Sequence, residues 1–160
     1  MKVEYVNPFI ESVYELFTTM LSAKATRRKA ALSEGAGGGS EVTALIGWSG
    51  PARGTIALAL PEETALSLAA RLLSTEMKEV DETVMDAVSE LVNIIAGGAK
   101  AKFSQSQGIG TIDLSLPTVI AGQYDVEYPS QTTWIEVPFD SDLGSFSLRV
   151  AFESVGSSSN

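Results

Sequence analysis

Neither cysteine nor histidine occurs among the 160 residues of this chain. Without cysteine there is no disulfide framework, no thiolate nucleophile and no thiolate metal site, and without histidine there is no imidazole base or ligand. These two absences remove most of the ways in which a hydrolase carries its own nucleophile and base. Any chemistry must rest on carboxylates, amides, hydroxyls, lysine, arginine or the backbone, and any metal would sit among oxygen ligands. Basic residues are also scarce: 11 Lys and Arg stand against 20 Asp and Glu, a net charge of −9. Such a surface repels phosphate backbones, so nucleic acid is a poor partner and another protein a better one. No apolar run approaches membrane-spanning length, which argues against a membrane partner. The first residues are interrupted by Glu4, Asn7, Pro8, Glu11 and Glu15, unlike a secretory signal, so the expected location is cytoplasmic.

What is present suits one compact domain. At 44% hydrophobic and 19% charged, the chain can bury a sizeable core. The domain is expected over residues 1–153, with 154–160 a frayed, Ser-rich tail. Asn7 as cap and Pro8 at the first helical position open a helix, and Phe9, Val13, Leu16, Phe17, Met20 and Leu21 recur at helical spacing. Residues 25–33 read as a strand whose Arg27-Arg28-Lys29 forms a solvated basic face. The glycine-rich run 35–39 reads as a flexible turn; it lacks the Gly-Lys-Ser/Thr ending of a phosphate cradle.

Residues 41–48 and 53–60 are β-rich around Ser49-Gly50-Pro51, a hairpin signal. Residues 61–74 read as a helix with Pro61, Glu62 and Glu63 in its first turn, as the macrodipole favours. Asp81-Glu82 opens a long third helix, which Gly108-Ile109-Gly110 ends. Residues 111–120, 132–138 and 145–152 read as further strands. The inventory predicts an α+β single domain, a largely antiparallel sheet of about six strands packed with three helices.

The third helix carries the main signal. At about 100° per residue, Thr83, Asp86, Asn93, Gly97, Lys100, Ala101 and Ser104 fall within an arc of roughly 100° around Glu90. Val84, Met85, Val88, Leu91, Val92, Ile95, Ala99 and Phe103 fall on the other side. An amphipathic helix with a solvated edge accounts for that division by itself. It does not account for Gly97 and Gly98, each of which costs up to about 1 kcal/mol against alanine inside a helix. Glycines there point to a close approach.

A helix with Glu90 and Asn93 at E-x-x-N spacing, leading into Ala96-Gly97-Gly98-Ala99, resembles the CheC/CheX/FliY family of chemotaxis phosphatases. The surroundings resemble the CheX branch in order and spacing: Asn7-Pro8-Phe9-Ile10-Glu11, Gly47-Trp48-Ser49-Gly50, Arg53-Gly54-Thr55-Ile56, Pro61-Glu62-Glu63-Thr64-Ala65 and Ser115-Leu116-Pro117-Thr118-Val119-Ile120. The resemblance implies a CheC-like fold and dephosphorylation of the aspartyl phosphate of a CheY-type response regulator. It implies that Asn93 positions the attacking water and that Glu90 pairs with the receiver's lysine. Asp86, Gly97 and Lys100 are then expected to dock the partner. It implies no cofactor on this chain, with Mg²⁺ in the receiver's own acidic pocket, and a homodimer.

Some family members carry the motif twice. In Glu11-Ser12-Val13-Tyr14 the second Asn is replaced by Tyr14, so one site is expected. The rival reading is a non-catalytic adaptor that binds a receiver or flagellar switch protein through the same helix. Asp140 and Asp142 invite a Ca²⁺ reading, but the twelve-residue loop with its closing Glu is absent and a solvated turn is expected. Trp48 and Trp134 are expected as core or interface aromatics.

Overall fold

Asp81 starts the longest helix. Its Oδ1 accepts from the Val84 amide at 3.0 Å and its carbonyl accepts from the Met85 amide at 3.0 Å. The first of these satisfies a donor that a helix start would leave unpaired, the second is the first bond of the helix, and α3 runs Glu82–Gln105. The computed structural model describes residues 5–33, 38–50, 53–105, 111–125 and 133–152. The expected stop at Gly108-Ile109-Gly110, the tail from residue 154 and residues 35–37 of the glycine run lie outside these.

α1, Asn7–Leu16, begins one residue earlier than the Asn-Pro pair suggests. The Val6 carbonyl accepts from the Phe9 and Ile10 amides at 3.0 and 3.1 Å. Those are the donors Asn7 would have capped, so Asn7 is the first helical residue and makes no cap bond. The helix widens into a π-helical turn, Phe17–Leu21, closed by Ser22 at φ 47°. α2, Glu62–Leu73, begins with two acids as expected and ends at Ser74, also left-handed. Its Arg71 reaches across to the Leu21 carbonyl at 2.6 Å and the Ser22 carbonyl at 3.2 Å. A cation thus sits at the negative end of the α1 stretch.

The strands are β1 (Ala25–Arg27), β2 (Ala31–Ser33), β3 (Gly38–Ser49), β4 (Gly54–Pro61), β5 (Asp113–Leu114), β6 (Thr118–Asp125), β7 (Thr133–Ser141) and β8 (Phe146–Phe152). They form one antiparallel sheet in the order β1-β7-β8-β4-β3-β5, with β2 also on β7 and β6 also on β3. The sheet is therefore six ranks wide, as expected, but each outer rank is cut in two. On one edge Arg27 pairs with Phe139 and Ala31 with Glu136, so residues 28–30 face only Val137 and Pro138. On the other, Trp48 pairs with Leu114 and Leu45 with Thr118, so residues 115–117 face only Ile46 and Gly47. Each break is a one-residue bulge beside a proline, which has no N–H to give a ladder. Gly38 and Gly39, expected in a turn, open β3 opposite Asp125 and Tyr124.

Alternation along the strands sends Val42, Ala44, Ile46, Ile56, Leu58, Leu60, Val137, Phe139, Leu148 and Val150 to the face covered by the helices. Trp48 stacks on Phe103 of α3 at 6.0 Å between centroids, with Phe9 of α1 beside both. Trp134 is equally buried on the opposite face, against Ala57 and Ala151. There Arg149, 8% exposed, lies 3.4 Å from Glu136 and 3.9 Å from Glu41.

α1 and α3 are locked together. Ser12 is buried and its hydroxyl donates to the Ile95 carbonyl at 2.7 Å. A Cβ on Gly98 would land on that hydroxyl and lie 3.2 Å from the Ser12 Cβ. Lys102 adds an outer tie, 2.6 Å from Glu15 and 3.9 Å from Glu11. We expect Gly98→Ala to lower stability by about 1–3 kcal/mol despite alanine's better helix propensity, because overpacking outweighs the gain. Ser12→Gly in the same chain should recover part of that loss, a coupling that paired denaturant titrations measure.

Candidate functional site

The burial of α3 follows the sequence pattern closely. Thr83, Asp86, Glu90, Asn93, Gly97, Ala101 and Ser104 are exposed, whereas Val84, Ala87, Val88, Leu91, Val92, Ile95, Ala96, Ala99 and Phe103 are buried. Met85 and Lys100 lie at the margins, half-buried. Lys100, expected within the docking stripe, therefore borders it. Asp86, Glu90, Asn93 and Gly97 succeed one another at spacings of four, three and four, which places neighbours about 5–6 Å apart on one helix face.

Among the described residues neither Glu90 nor Asn93 makes a side-chain hydrogen bond or ion pair. A carboxylate and a carboxamide are therefore presented to solvent with their hydrogen-bonding capacity unspent. At the N-terminal end of the stripe, Asp81, Glu82, Asp86, Ser89 and Pro117 border an open cleft of about 480 Å³.

The two glycines, alike in the sequence, do different things. Gly98 is where α1 comes close. Gly97 faces outward, and a Cβ placed on it would meet nothing within 4 Å. Nothing among the described residues requires a glycine there. The sequence signal, a helix-weakening pair, was legible; which member belonged to the fold was not, because that depends on Ser12, more than eighty positions away.

The other candidates have structural tasks. Asp142 accepts from the Lys24 amide at 2.9 Å, and Asp140 pairs with Arg28 at 3.4 Å. Among the described residues no group of three or more acidic side chains could hold a metal ion. In α1, Glu11 faces Lys102, Ser12 is buried, and the Tyr14 hydroxyl accepts from the Arg27 amide at 3.3 Å. The first helix thus spends on packing the positions at which a second motif would stand.

Chemically, this face is half a site. An asparagine has no useful pKa, but its amide can both accept from and donate to a water. A free carboxylate can pair with a cation. Neither is a nucleophile activated by a neighbouring base, so the reacting group must come from elsewhere.

An antiparallel sheet with three helices on one face is the architecture of CheC-like proteins. A CheC-like superfamily protein from Shewanella sp. PV-4 is 29% identical with a TM-score of 0.84, over 96% of this chain and 100% of that one. The chemotaxis protein CheX from Vibrio vulnificus is 29% identical with a TM-score of 0.82, over 94% of this chain and 100% of that one. The CheX of a CheX–CheY–BeF3–Mg²⁺ complex from Borrelia burgdorferi shares the fold at 23% identity, with a TM-score of 0.79 over 96% and 100% of the two chains. Comparison with curated proteins gives no match. The chain belongs to the CheX family: the model of chemotaxis phosphatase CheX matches residues 42–140, a span that includes Glu90 and Asn93.

Replacing Gly97 by alanine should raise stability by about 0.5–1 kcal/mol, since the helix gains propensity and the new methyl enters open space. Thermal unfolding of Gly97→Ala beside Gly98→Ala reads the contrast directly; equal losses would show that both glycines serve the fold.

Proposed function

We propose that this chain dephosphorylates the aspartyl phosphate of a CheY-type response regulator. The observation that carries the reading is the joint exposure of Glu90 and Asn93 on α3, without partners among the described residues, beside a glycine that the fold does not use. Family membership supports it, as does the Borrelia relative's capture with CheY and Mg²⁺.

An aspartyl phosphate is an activated mixed anhydride. It needs an in-line water more than strong acid or base chemistry, and positioning is most of what a catalyst supplies. On this reading Asn93 enters the receiver's pocket and orients the attacking water. Glu90 pairs with the receiver's lysine and fixes the helix in register. Mg²⁺ is the receiver's own ligand. Gly97 lets the helix lie close against the receiver, with Asp86 and Lys100 at the borders of the contact.

Purified chain added to a phosphorylated receiver with Mg²⁺ should accelerate loss of the phosphoryl group. Asn93→Ala should cut that rate by roughly 10²- to 10³-fold and leave binding largely intact, the usual scale for one positioned transition-state partner. Glu90→Ala should weaken the complex itself, by about 2–5 kcal/mol, much of it from the lysine left unpaired. Wild-type dephosphorylation by Asn93→Ala would make the chain a docking adaptor instead.

We also infer a homodimer. β6 pairs only with β3 among the described residues, and at eight residues it is the longest edge strand, suited to pairing between copies. Light scattering should return twice the chain's mass; a monomer mass removes the inference.

A further inference from the structure

The Arg27-Arg28-Lys29 triplet has no part in the reading above, and its place in the fold gives it one. These three of the chain's 11 basic residues stand in sequence at the β1–β2 bulge, on a molecule of net charge −9. Arg27 also lines an open cleft of about 230 Å³ between the start of α1 and β2. Val6 and Ile10 form one wall, Ile135 and Val137 the floor, and Leu32 the opposite lip. The lining is almost wholly apolar, and the volume suits one large aliphatic or aromatic side chain.

Two features mark this cleft as unfinished. Leu32 is paired with Ile135, whose side chain packs into the core, and strand alternation puts Leu32 on the same face. Among the described residues no helix covers it, and it is left 75% exposed. The charges beside it are also underused. Arg28 pairs with Asp140, but both side chains are more than half exposed, and among the described residues Arg27 and Lys29 have no ion-pair partner. β2 itself pairs only with β7, which leaves its other backbone edge open among the described residues.

We propose that this cleft docks an acidic, extended segment of a partner protein, which lies along β2 and seats one apolar side chain between Ile10, Leu32 and Val137. Charge complementarity selects the occupant. The rim is cationic where the rest of the molecule is strongly anionic, so it attracts an acidic segment and turns away a basic one. Strand addition supplies backbone hydrogen bonds, and alternation puts the residue opposite Leu32 on the cleft side. Three cations over so short a stretch are too few to carry a nucleic acid against the net charge. The cleft lies on the β1–β2 edge, built from elements other than α3, so this contact is separate from the receiver-binding face.

Methyl NMR of the full chain tests it, with two synthetic peptides as probes: an acetylated decapeptide with one central leucine flanked by Asp and Glu, and its counterpart with Lys at every acidic position. The acidic peptide should move the methyl signals of Ile10, Leu32, Ile135 and Val137, with binding that weakens as salt is raised. Arg27→Glu with Lys29→Glu, both exposed, one at the end of β1 and one in the bulge, should weaken that binding by about tenfold or more with an unchanged melting curve. Changing the peptide's leucine to serine should remove the methyl shifts. The proposal is overturned if the acidic peptide moves none of these signals, or if the lysine peptide moves them equally. Movement with protein concentration alone would also overturn it, since a second copy would then occupy the cleft.

Discussion

What α3 can offer on its exposed side depends on how its other side is held, and the tightest point of that hold is the contact between Ser12 and Gly98. A glycine at this one turn lets α1 approach until a serine hydroxyl reaches the backbone of α3. That bond is available only at a separation a methyl group would forbid. Around it the aromatic cluster of Phe9, Trp48 and Phe103 fixes the helix against the sheet, and Lys102 ties it to α1 from outside. The result is a helix held on three sides and bare on the fourth. A side chain that has to hold a fixed geometry toward a partner gains from standing on such an element rather than on a loop.

Much of this was legible in the residues. The division of α3 into buried and exposed faces follows the 3.6-residue period almost position by position, and Asp81-Glu82 was readable as its opening. The β3–β4 hairpin followed from Gly50 between two β-rich runs. What could not be read depended on distant partners. The break between β1 and β2 is placed by Pro138, and the one between β5 and β6 by Gly47 and Ser115, whose mutual bonds no local propensity reports. Asn7 lost its capping role because Val6 began the helix first. Nor does any local pattern bring Arg149 beside Glu41 and Glu136, since those three meet only once β7 and β8 are paired and β4 has brought β3 alongside.

The scarcity of cations also acquires a meaning. Arg71 holds the end of the α1 stretch, Lys102 joins α1 to α3, Arg28 joins β1 to β7, and Arg149 links three strands. Four of the 11 cations are thus spent on ties between elements, while on α3 the acids Glu82, Asp86 and Glu90 face water. The exposed Glu90 belongs to that acidic surface, and only its position on a rigidly held helix distinguishes it from its neighbours.

The broken edges bear on assembly as well as on shape. On the side of β7 the sheet ends in two pieces of three residues each, whereas on the side of β3 it ends in a piece of two and a run of eight. A sheet with two long, flat edges can recruit a copy on each side and grow into a ribbon. Among the described residues β6 is the one long edge, so two copies joined through it would leave open only strands of two or three residues. Strands that short make poor templates for a third copy, so an assembly of this kind would stop at two without any charge or loop having to block it.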